Sequence, residues 1–379
     1  MPNNVHILHF LLKRELKELY LSMAIKSFAL SMVGVFVPIY LLTKTSLTLN
    51  GVLFFYLLSC VVFILAIPLS AALASTYGLK HGIGISVPFY IALYLLLSVF
   101  SGYNIYVIFL LATILGLADS FFWVSLHLDL AQASDKKNRG GEIGALYTSS
   151  VLAKIAGPLI GGVILTFFSF KVLFVVACIV YLFSLLPLMF SRDRYVKQVF
   201  SFRKMFPLLK NYKRQLLTSL CYGTMNVGEV VLWPLFLFAY LHIYLEFGVI
   251  FTIAEIIIAI SYSFVGEVSD HISKRKMVRG GNLLFSFIWI LRYYIPSINL
   301  LLVSIPFMAM VLPLVQIPFM SLNYEAARRS GNAVEFIAMQ QLFTNLGRII
   351  ILLFIIATNT LNIGFLGLAG SALIHAFFP

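Results

Sequence analysis

Ser125-Leu126-His127-Leu128-Asp129-Leu130-Ala131 is answered, about 195 residues further on, by Ser321-Leu322-Asn323-Tyr324-Glu325-Ala326-Ala327. A Ser-Leu pair opens both stretches, an acid follows in each, and an alanine closes both. Glu142 with Ala145 is matched in the same way by Glu335 with Ala338, and the cation Lys154, set among apolar residues, falls opposite Arg348. The chain is written twice. Such a duplication in an apolar sequence predicts two homologous helical bundles with a site between them, the general plan of a secondary transporter.

Of the 379 residues, 61% are hydrophobic and 11% are charged, against roughly half and a quarter in a soluble domain. The chain therefore reads as an integral membrane protein. Crossing a hydrocarbon core of roughly 30 Å as helix takes about 18 apolar residues or more. Twelve runs qualify: 19–43, 49–74, 82–101, 104–131, 141–168, 172–190, 215–241, 246–268, 280–297, 299–325, 334–358 and 361–378. The expected fold is an all-α membrane protein with twelve transmembrane helices in two pseudo-symmetric six-helix bundles. Residues 1–190 form the first bundle and 215–379 the second. The basic stretch 191–214, with Pro207 and the aromatics Phe200, Phe202 and Phe206 among its cations, reads as a cytoplasmic linker on the anionic inner leaflet.

A net charge of +13 would suggest nucleic acid in a soluble protein, but here its distribution decides otherwise. Of the 27 Lys and Arg, 21 fall in alternate connections, whereas the opposite loops hold Lys44 and Lys171 alone. That asymmetry places both termini in the cytoplasm and the protein in the cell membrane, with lipid and not nucleic acid as its large-scale partner. Val5 to Leu12 reads as a short amphipathic segment at the inner surface. A monomer is expected. Cys60, Cys178 and Cys221 all lie inside spans without paired spacing, as packing residues. The seven histidines (His6, His9, His81, His127, His242, His271 and His375) show no ligand spacing, which argues against a membrane-embedded metalloenzyme and for no metal or cofactor.

In the fifth span, Gly144, Ala153, Gly157-Pro158 and Gly161-Gly162 recur as small residues around a proline. Small residues let helix backbones approach closely, and proline removes one intrahelical hydrogen bond. This spacing resembles the helix 5 antiporter motif of the major facilitator superfamily, with Ala153 in place of a glycine. The connection after the eighth span (Gly266, Val268, Asp270, His271, Ser273, Lys274 and Arg275) resembles that family's motif between helices 8 and 9. The resemblance implies a cytoplasmic latch in which Asp270, with Gly266, Lys274 and Arg275, caps a neighbouring helix and holds the outward-facing state. It denies that role to the counterpart loop Ala71, Leu73, Ser75, Thr76, Gly78, Leu79 and Lys80, where Ser75 stands for the family's Asp and Thr76 for its basic residue.

Five ionisable residues fall near mid-span: Asp119, Lys154, Glu229, Glu255 and Arg348. An unpaired charge there costs roughly 2.5–3.5 kcal/mol even on the lenient insertion scale, so each should face a cavity or a partner. Helical spacing puts Asp119 on a face with Gly116, Trp123 and His127, Glu229 with Asn226 and Trp233, and Arg348 with Gln341, Thr344 and Asn345. Two readings stand. Either these acids carry a coupling proton or meet a cationic solute, with Lys154 and Arg348 as counter-charges, or they form static pairs, Asp119 with Lys154 and Glu229 or Glu255 with Arg348. Lys26 and Arg292, nearer to span ends, are expected to snorkel to an interface, and His127 to be a satisfied polar residue.

The leading functional expectation is alternating-access, proton-coupled export of a small, moderately hydrophobic solute; Trp123, Trp233 and Tyr222 would suit a cationic one. A symporter or uniporter importing a sugar, amino acid or organic anion is the alternative; the resemblance implies a basic helix 4 motif associated with proton transfer, and Gly116 to Leu130 contains acids and no Arg, which weighs against proton antiport. A non-transporting scaffold or sensor is the third, supported by Ser75.

Overall fold

A hydrocarbon environment leaves no water to satisfy backbone polar groups, so a chain this apolar must close its hydrogen bonds within each crossing segment. The protein does so with helix throughout, in a computed structural model describing residues 14–100, 102, 104–133, 149–190, 200–295 and 297–378. Among these residues no strand occurs. The helices are α1 (Leu21–Lys44), α2 (Leu49–Tyr77), α3 (Leu79–Val99), α4 (Ile105–Ala133), α5 (Ser149–Phe167) and α6 (Phe170–Phe190). They are followed by α7 (Lys213–Phe238), α8 (Tyr244–His271), α9 (Lys274–Tyr294), α10 (Ile298–Arg329), α11 (Ala333–Thr358) and α12 (Leu361–Phe377). Ten of the twelve are long and apolar enough to span a membrane on those grounds alone. The other two are α9, whose apolar character is diluted by Lys274, Arg275, Lys276, Arg279 and Arg292, and α12, with 17 residues.

Packing repeats as the sequence does. In the first half α1 packs on α5 and α6, α2 on α4, and α3 on α4 and α6; in the second, α7 packs on α11 and α12, α8 on α10, and α9 on α10 and α12. Across the two halves, α2 lies along α11 and α5 along α8. These are two copies of one arrangement related by a pseudo-dyad. The correspondence extends to a defect: α1 is interrupted between Gly34 and Val37, just before Pro38, and α7 widens into a π-helical segment, Gly228–Leu232, just before Pro234. Proline supplies no N–H and crowds the carbonyl one turn back, so the ladder must loosen upstream of it.

The glycines of α5 sit where two backbones cross. A Cβ on Gly157 would lie 1.9 Å from Ser31 Oγ, and one on Gly161 2.3 Å from the Met32 carbonyl oxygen, both on α1. Gly162 faces α8, where a Cβ would lie 2.7 Å from the Tyr244 carbonyl oxygen, and Gly248 of α8 faces the Pro158 carbonyl in return. Pro158 frees the Lys154 carbonyl one turn earlier, and Ser31 Oγ donates to it at 3.1 Å. On the other side of the bend the Leu159 N–H donates to Thr252 Oγ1 of α8 at 3.1 Å. The bend is thus satisfied by one neighbour from each half.

The linker's described part, residues 200–212, holds a 3-10 turn, Phe202–Lys204, and a short helix, Met205–Asn211. It docks on the start of α11: the Ser201 N–H donates to Glu335 Oε1 at 3.0 Å, and Lys204 Nζ stands 4.0 Å from the same oxygen. Leu208 points inward, while Phe202 and Phe206 are exposed. The segment Val5 to Leu12 lies outside the described residues.

Candidate functional site

A cavity of about 520 Å³ lies between the halves, with room for a small organic solute. Asp119 and Trp123 reach it from α4, Lys154 from α5, Glu229 and Trp233 from α7, Glu255 from α8, and Arg348 from α11. All five mid-span charges therefore converge on one space. Two further cations line it that the sequence assigned to interfaces, Lys26 and Arg292.

Both corrections have physical causes. α1 is helical back to Arg14, about 18 Å of rise before Lys26, so this lysine lies deep in the bundle. It is 2% exposed, with Nζ 3.0 Å from the centre of the Phe122 ring and 4.5 Å from that of Tyr90, and donates to Ser86 Oγ at 3.2 Å. Arg292 does lie near the end of α9, but α7 and α10 cover that end. It is 2% exposed, donates to Ser304 Oγ at 3.0 Å and Glu229 Oε1 at 3.4 Å, and stacks 3.7 Å from the Trp233 ring centre and 4.6 Å from that of Trp289.

The static pairings read from the sequence do not form. Glu229, on the π-helical turn of α7, takes Arg292 as its partner, and no ion pair within 4.0 Å joins Asp119 to Lys154 or either glutamate to Arg348 among the described residues. Asp119 instead accepts a hydrogen bond from the Tyr90 hydroxyl, with Arg348 and Lys26 as the cations whose fields reach it. Lys154 is the cation that acts on Glu255. Arg348 donates to amide oxygens, Nη2 to Asn226 at 2.9 Å and Nη1 to Asn345 at 3.3 Å, and lies against the Cys60 thiol of α2. Its Nε is buried without a partner. Gly116 makes no opening beside Asp119: a Cβ there would lie 2.5 Å from the Ser59 carbonyl oxygen, so it is a crossing point of α4 with α2.

The duplicated stretches meet below the cavity, at the face where the basic loops lie. His127 Nδ1 shares a 2.6 Å hydrogen bond with the Tyr324 hydroxyl, joining α4 of one half to α10 of the other, while Trp123 stacks on the His127 ring at 5.6 Å. His127 is thus a satisfied polar residue, as expected, but its partner lies across the pseudo-dyad. At the opposite face Asn50 donates to Asn359 at 2.9 Å, and Phe36 of α1 packs on Tyr244 and Phe247 of α8. Contacts between the halves occur at both ends of the cavity.

The motif residues are placed unevenly. Ala153 lies on α5 beside Lys154, and Gly157, Pro158, Gly161 and Gly162 form the crossings described above; Gly144 lies outside the described residues. In the proposed latch, Gly266 is buried in α8 while Lys274 and exposed Arg275 open α9; the Asp270 side chain is outside the description. Ser75 donates to the Ala72 carbonyl of its own helix at 2.9 Å, a local bond. The three cysteines are buried and free. A sequence signal existed for part of what was missed: Pro38 and Pro234 are a further duplicated pair, marking the irregular turns that carry Glu229 and face the cavity.

In the solved structures, a human organic anion transporter (TETRAN) superposes with a TM-score of 0.73 at 13% identity, covering 97% of this chain and 99% of that one. A variant of the E. coli fucose:proton symporter FucP gives 0.67 at 12% identity, covering 98% of each chain. At such identities the likeness concerns the fold. Among curated proteins the Bacillus subtilis protein YqgE, itself uncharacterised, is 22% identical over 256 residues, and the match spans 64% of this chain and 59% of that protein's length. The family model described as Major Facilitator Superfamily matches residues 19–352. That match covers most of the chain, so the chain belongs to the major facilitator superfamily, and its long apolar helices make it a multi-pass membrane protein.

Proposed function

We propose that this protein is a transporter, coupled to protons and exporting a small, moderately hydrophobic solute, with residues 1–190 and 215–379 rocking against each other about the cavity and 191–214 tying them at the cytoplasmic face. The observation that carries the coupling is Asp119: its carboxylate faces the cavity and holds a tyrosine hydroxyl in place of a cation. A carboxylate with a neutral partner can exchange a proton without breaking an ion pair, and cations that approach or recede as the halves move change its proton affinity. Lys26 and Arg348, on different halves, are suited to that part. Outward direction rests on the glycine crossings of α5 with α1 and α8, which correspond to the antiporter motif. The proposed site is the cell membrane with both termini cytoplasmic.

Proton symport is the second reading, favoured by one observation: α4 presents an acid and no basic residue to the cavity, the cations coming from α1, α5, α9 and α11. Purified protein in liposomes under an imposed pH gradient, screened with cationic drugs, sugars and organic anions while internal pH is recorded, separates the two. Antiport gives solute and proton fluxes of opposite sign, symport of the same sign. Asp119→Asn is expected to abolish solute-dependent proton movement. Proton-driven flux at the wild-type rate in Asp119→Asn and Glu229→Gln would exclude coupling by these residues.

A further inference from the structure

We infer that the solute bound in this cavity carries an anionic group and that Arg348 is the residue that receives it. The inference rests on the reading of the cavity as the solute site and names the class of solute. Four cations line the cavity, Lys26, Lys154, Arg292 and Arg348, against three carboxylates, Asp119, Glu229 and Glu255. With every group ionised the lining carries one positive charge in excess, in a setting where an uncompensated charge is expensive. Glu229 takes Arg292 at 3.4 Å, Glu255 feels the field of Lys154, and Asp119 accepts from Tyr90 while the fields of Arg348 and Lys26 both reach it. Of those two cations Lys26 is packed on the Phe122 and Tyr90 rings and donates to Ser86, whereas Arg348 faces the cavity with no carboxylate within 4.0 Å among the described residues.

Its surroundings fit a receiving group. A guanidinium offers five donors in a planar fork matched to carboxylate geometry. Here Nη1 and Nη2 are held by the amide oxygens of Asn345 and Asn226, neutral acceptors that orient the fork without discharging it, and Nε is buried with no acceptor at all. A merely structural arginine at this depth would be expected to have a carboxylate partner, as Arg292 has. Asn226 lies on α7 and Asn345 on α11, so the group is anchored in the second half, while Cys60 of α2 brings the first half against it. The lining of the same cavity includes aromatic and aliphatic side chains, among them Trp123, Tyr222, Phe251 and Leu352. The complementary solute is an amphipathic organic anion with one negative group and an apolar body.

The test is equilibrium binding to the full-length protein in nanodiscs, read by quenching of its tryptophans, with three matched probes: 2-naphthoate, 2-naphthamide and 2-naphthylmethylammonium. Binding requires neither flux nor coupling, so its outcome is separate from that of the proton assay. Naphthoate is expected to bind more tightly than the other two, and Arg348→Gln to weaken it about tenfold or more, the loss of a charge-assisted bond, with little change for naphthamide. Because Arg348→Gln can also disturb the α7–α11 contact, Asn226→Asp provides an independent variant. It keeps the side-chain shape and places a carboxylate 2.9 Å from the guanidinium, so it should exclude naphthoate while leaving thermal stability intact. Preference for the ammonium probe, or naphthoate affinity unchanged in both variants, overturns the inference. If none of the three probes binds, the cavity is not a solute site for molecules of this size and the inference falls with the reading beneath it.

Discussion

Replacing Glu229 by Gln should destabilise the second half more than removing Arg292 does, although the two share one ion pair. Arg292 has a side chain 1% exposed and Glu229 one 18% exposed. Taking away one partner of a buried pair leaves the other uncompensated, at about 3–5 kcal/mol. In Glu229→Gln the remaining charge is a guanidinium that cannot deprotonate in that position. Ser304 and the Trp233 and Trp289 rings still support it, which puts the expected cost near the lower bound, about 3 kcal/mol. In Arg292→Met the remaining group is a carboxylate at the cavity wall, able to draw in water or take a proton, and the apolar replacement fills the space between the indoles. There the cost is about 1–2 kcal/mol, chiefly the lost ring contacts and the Ser304 bond. The double variant Glu229→Gln/Arg292→Met should be more stable than Glu229→Gln alone, the signature of coupling in a double-mutant cycle. Reversible unfolding in mixed detergent micelles, followed by the fluorescence of Trp233 and Trp289 beside the pair, measures all four proteins. A cost below about 1 kcal/mol for Glu229→Gln, close to the roughly 0.6 kcal/mol averaged by neutral hydrogen bonds between membrane helices, together with simple additivity, would refute the reasoning.

Tyr324→Phe removes the hydroxyl that ties α10 to His127 and keeps the ring, so the equilibrium should shift toward opening at the basic face by about 1 kcal/mol, or about fivefold. Labelling of a Leu312→Cys reporter in a background free of Cys60, Cys178 and Cys221 reads this as a faster reaction from that face; an unchanged rate counts against His127–Tyr324 as a closing contact. Gly162→Ala puts a methyl 2.7 Å from the Tyr244 carbonyl oxygen, forcing α5 and α8 apart, and should slow flux and lower the melting temperature. Gly84→Ala on α3, where nothing lies within 4 Å, is the control expected to change neither. Thr252→Val leaves the Leu159 N–H without its acceptor across the halves and should cost about 1–3 kcal/mol, whereas Thr252→Ser restores it.

The fold was legible because its causes are additive along the chain. Length of apolar run sets the crossings, basic loops set their alternation, and a repeat of about 195 residues sets the two-fold plan, none of which requires knowing what touches what. Placement of the mid-span charges in one cavity was legible for a similar reason: charge is costly in oil wherever it lies, so Asp119, Lys154, Glu229, Glu255 and Arg348 had to converge or pair. Which of them pair was not legible. Lys26 looked interfacial because the helix it sits on begins at Arg14, in a stretch whose Glu15, Lys17 and Glu18 hide it from a hydropathy reading. Arg292 looked interfacial because sequence distance to a helix end says nothing about whether another helix covers that end. Partner choice is decided by the third dimension, where Glu229 meets a cation 63 positions away in preference to one on α11.

Duplication constrains the backbone more tightly than it constrains charge, and the contrast bears on how the two halves divide their work. Helix pairings and the proline-associated irregularities before Pro38 and Pro234 recur with the repeat. The acids do not: Asp119 has no counterpart carboxylate at the corresponding turn of α10, where Pro313, Leu314 and Val315 stand, and Glu229 has none in α1, where Gly34 and Val35 face the cavity. A symmetric scaffold gives two equivalent ways to tilt the halves, one opening each end of the cavity. An asymmetric charge set makes those two tilts unequal in energy, and only such a difference lets a proton or a solute bias one over the other. In the first half Asp119 is held by a hydroxyl and Lys26 lies among aromatic rings, so neither is committed to an ion pair; in the second Glu229 is committed to Arg292. On the proposed function, proton exchange belongs with Asp119 and recognition with Arg348. Moving the acid, as Asp119→Asn with an acid restored at Val315 of the opposite helix, should transfer proton sensitivity to the second half, read as solute-dependent proton flux that survives in this variant and not in Asp119→Asn alone. Recovery of no flux would mean that the surroundings of Asp119, and not merely an acid at the pseudo-dyad, are what the coupling requires.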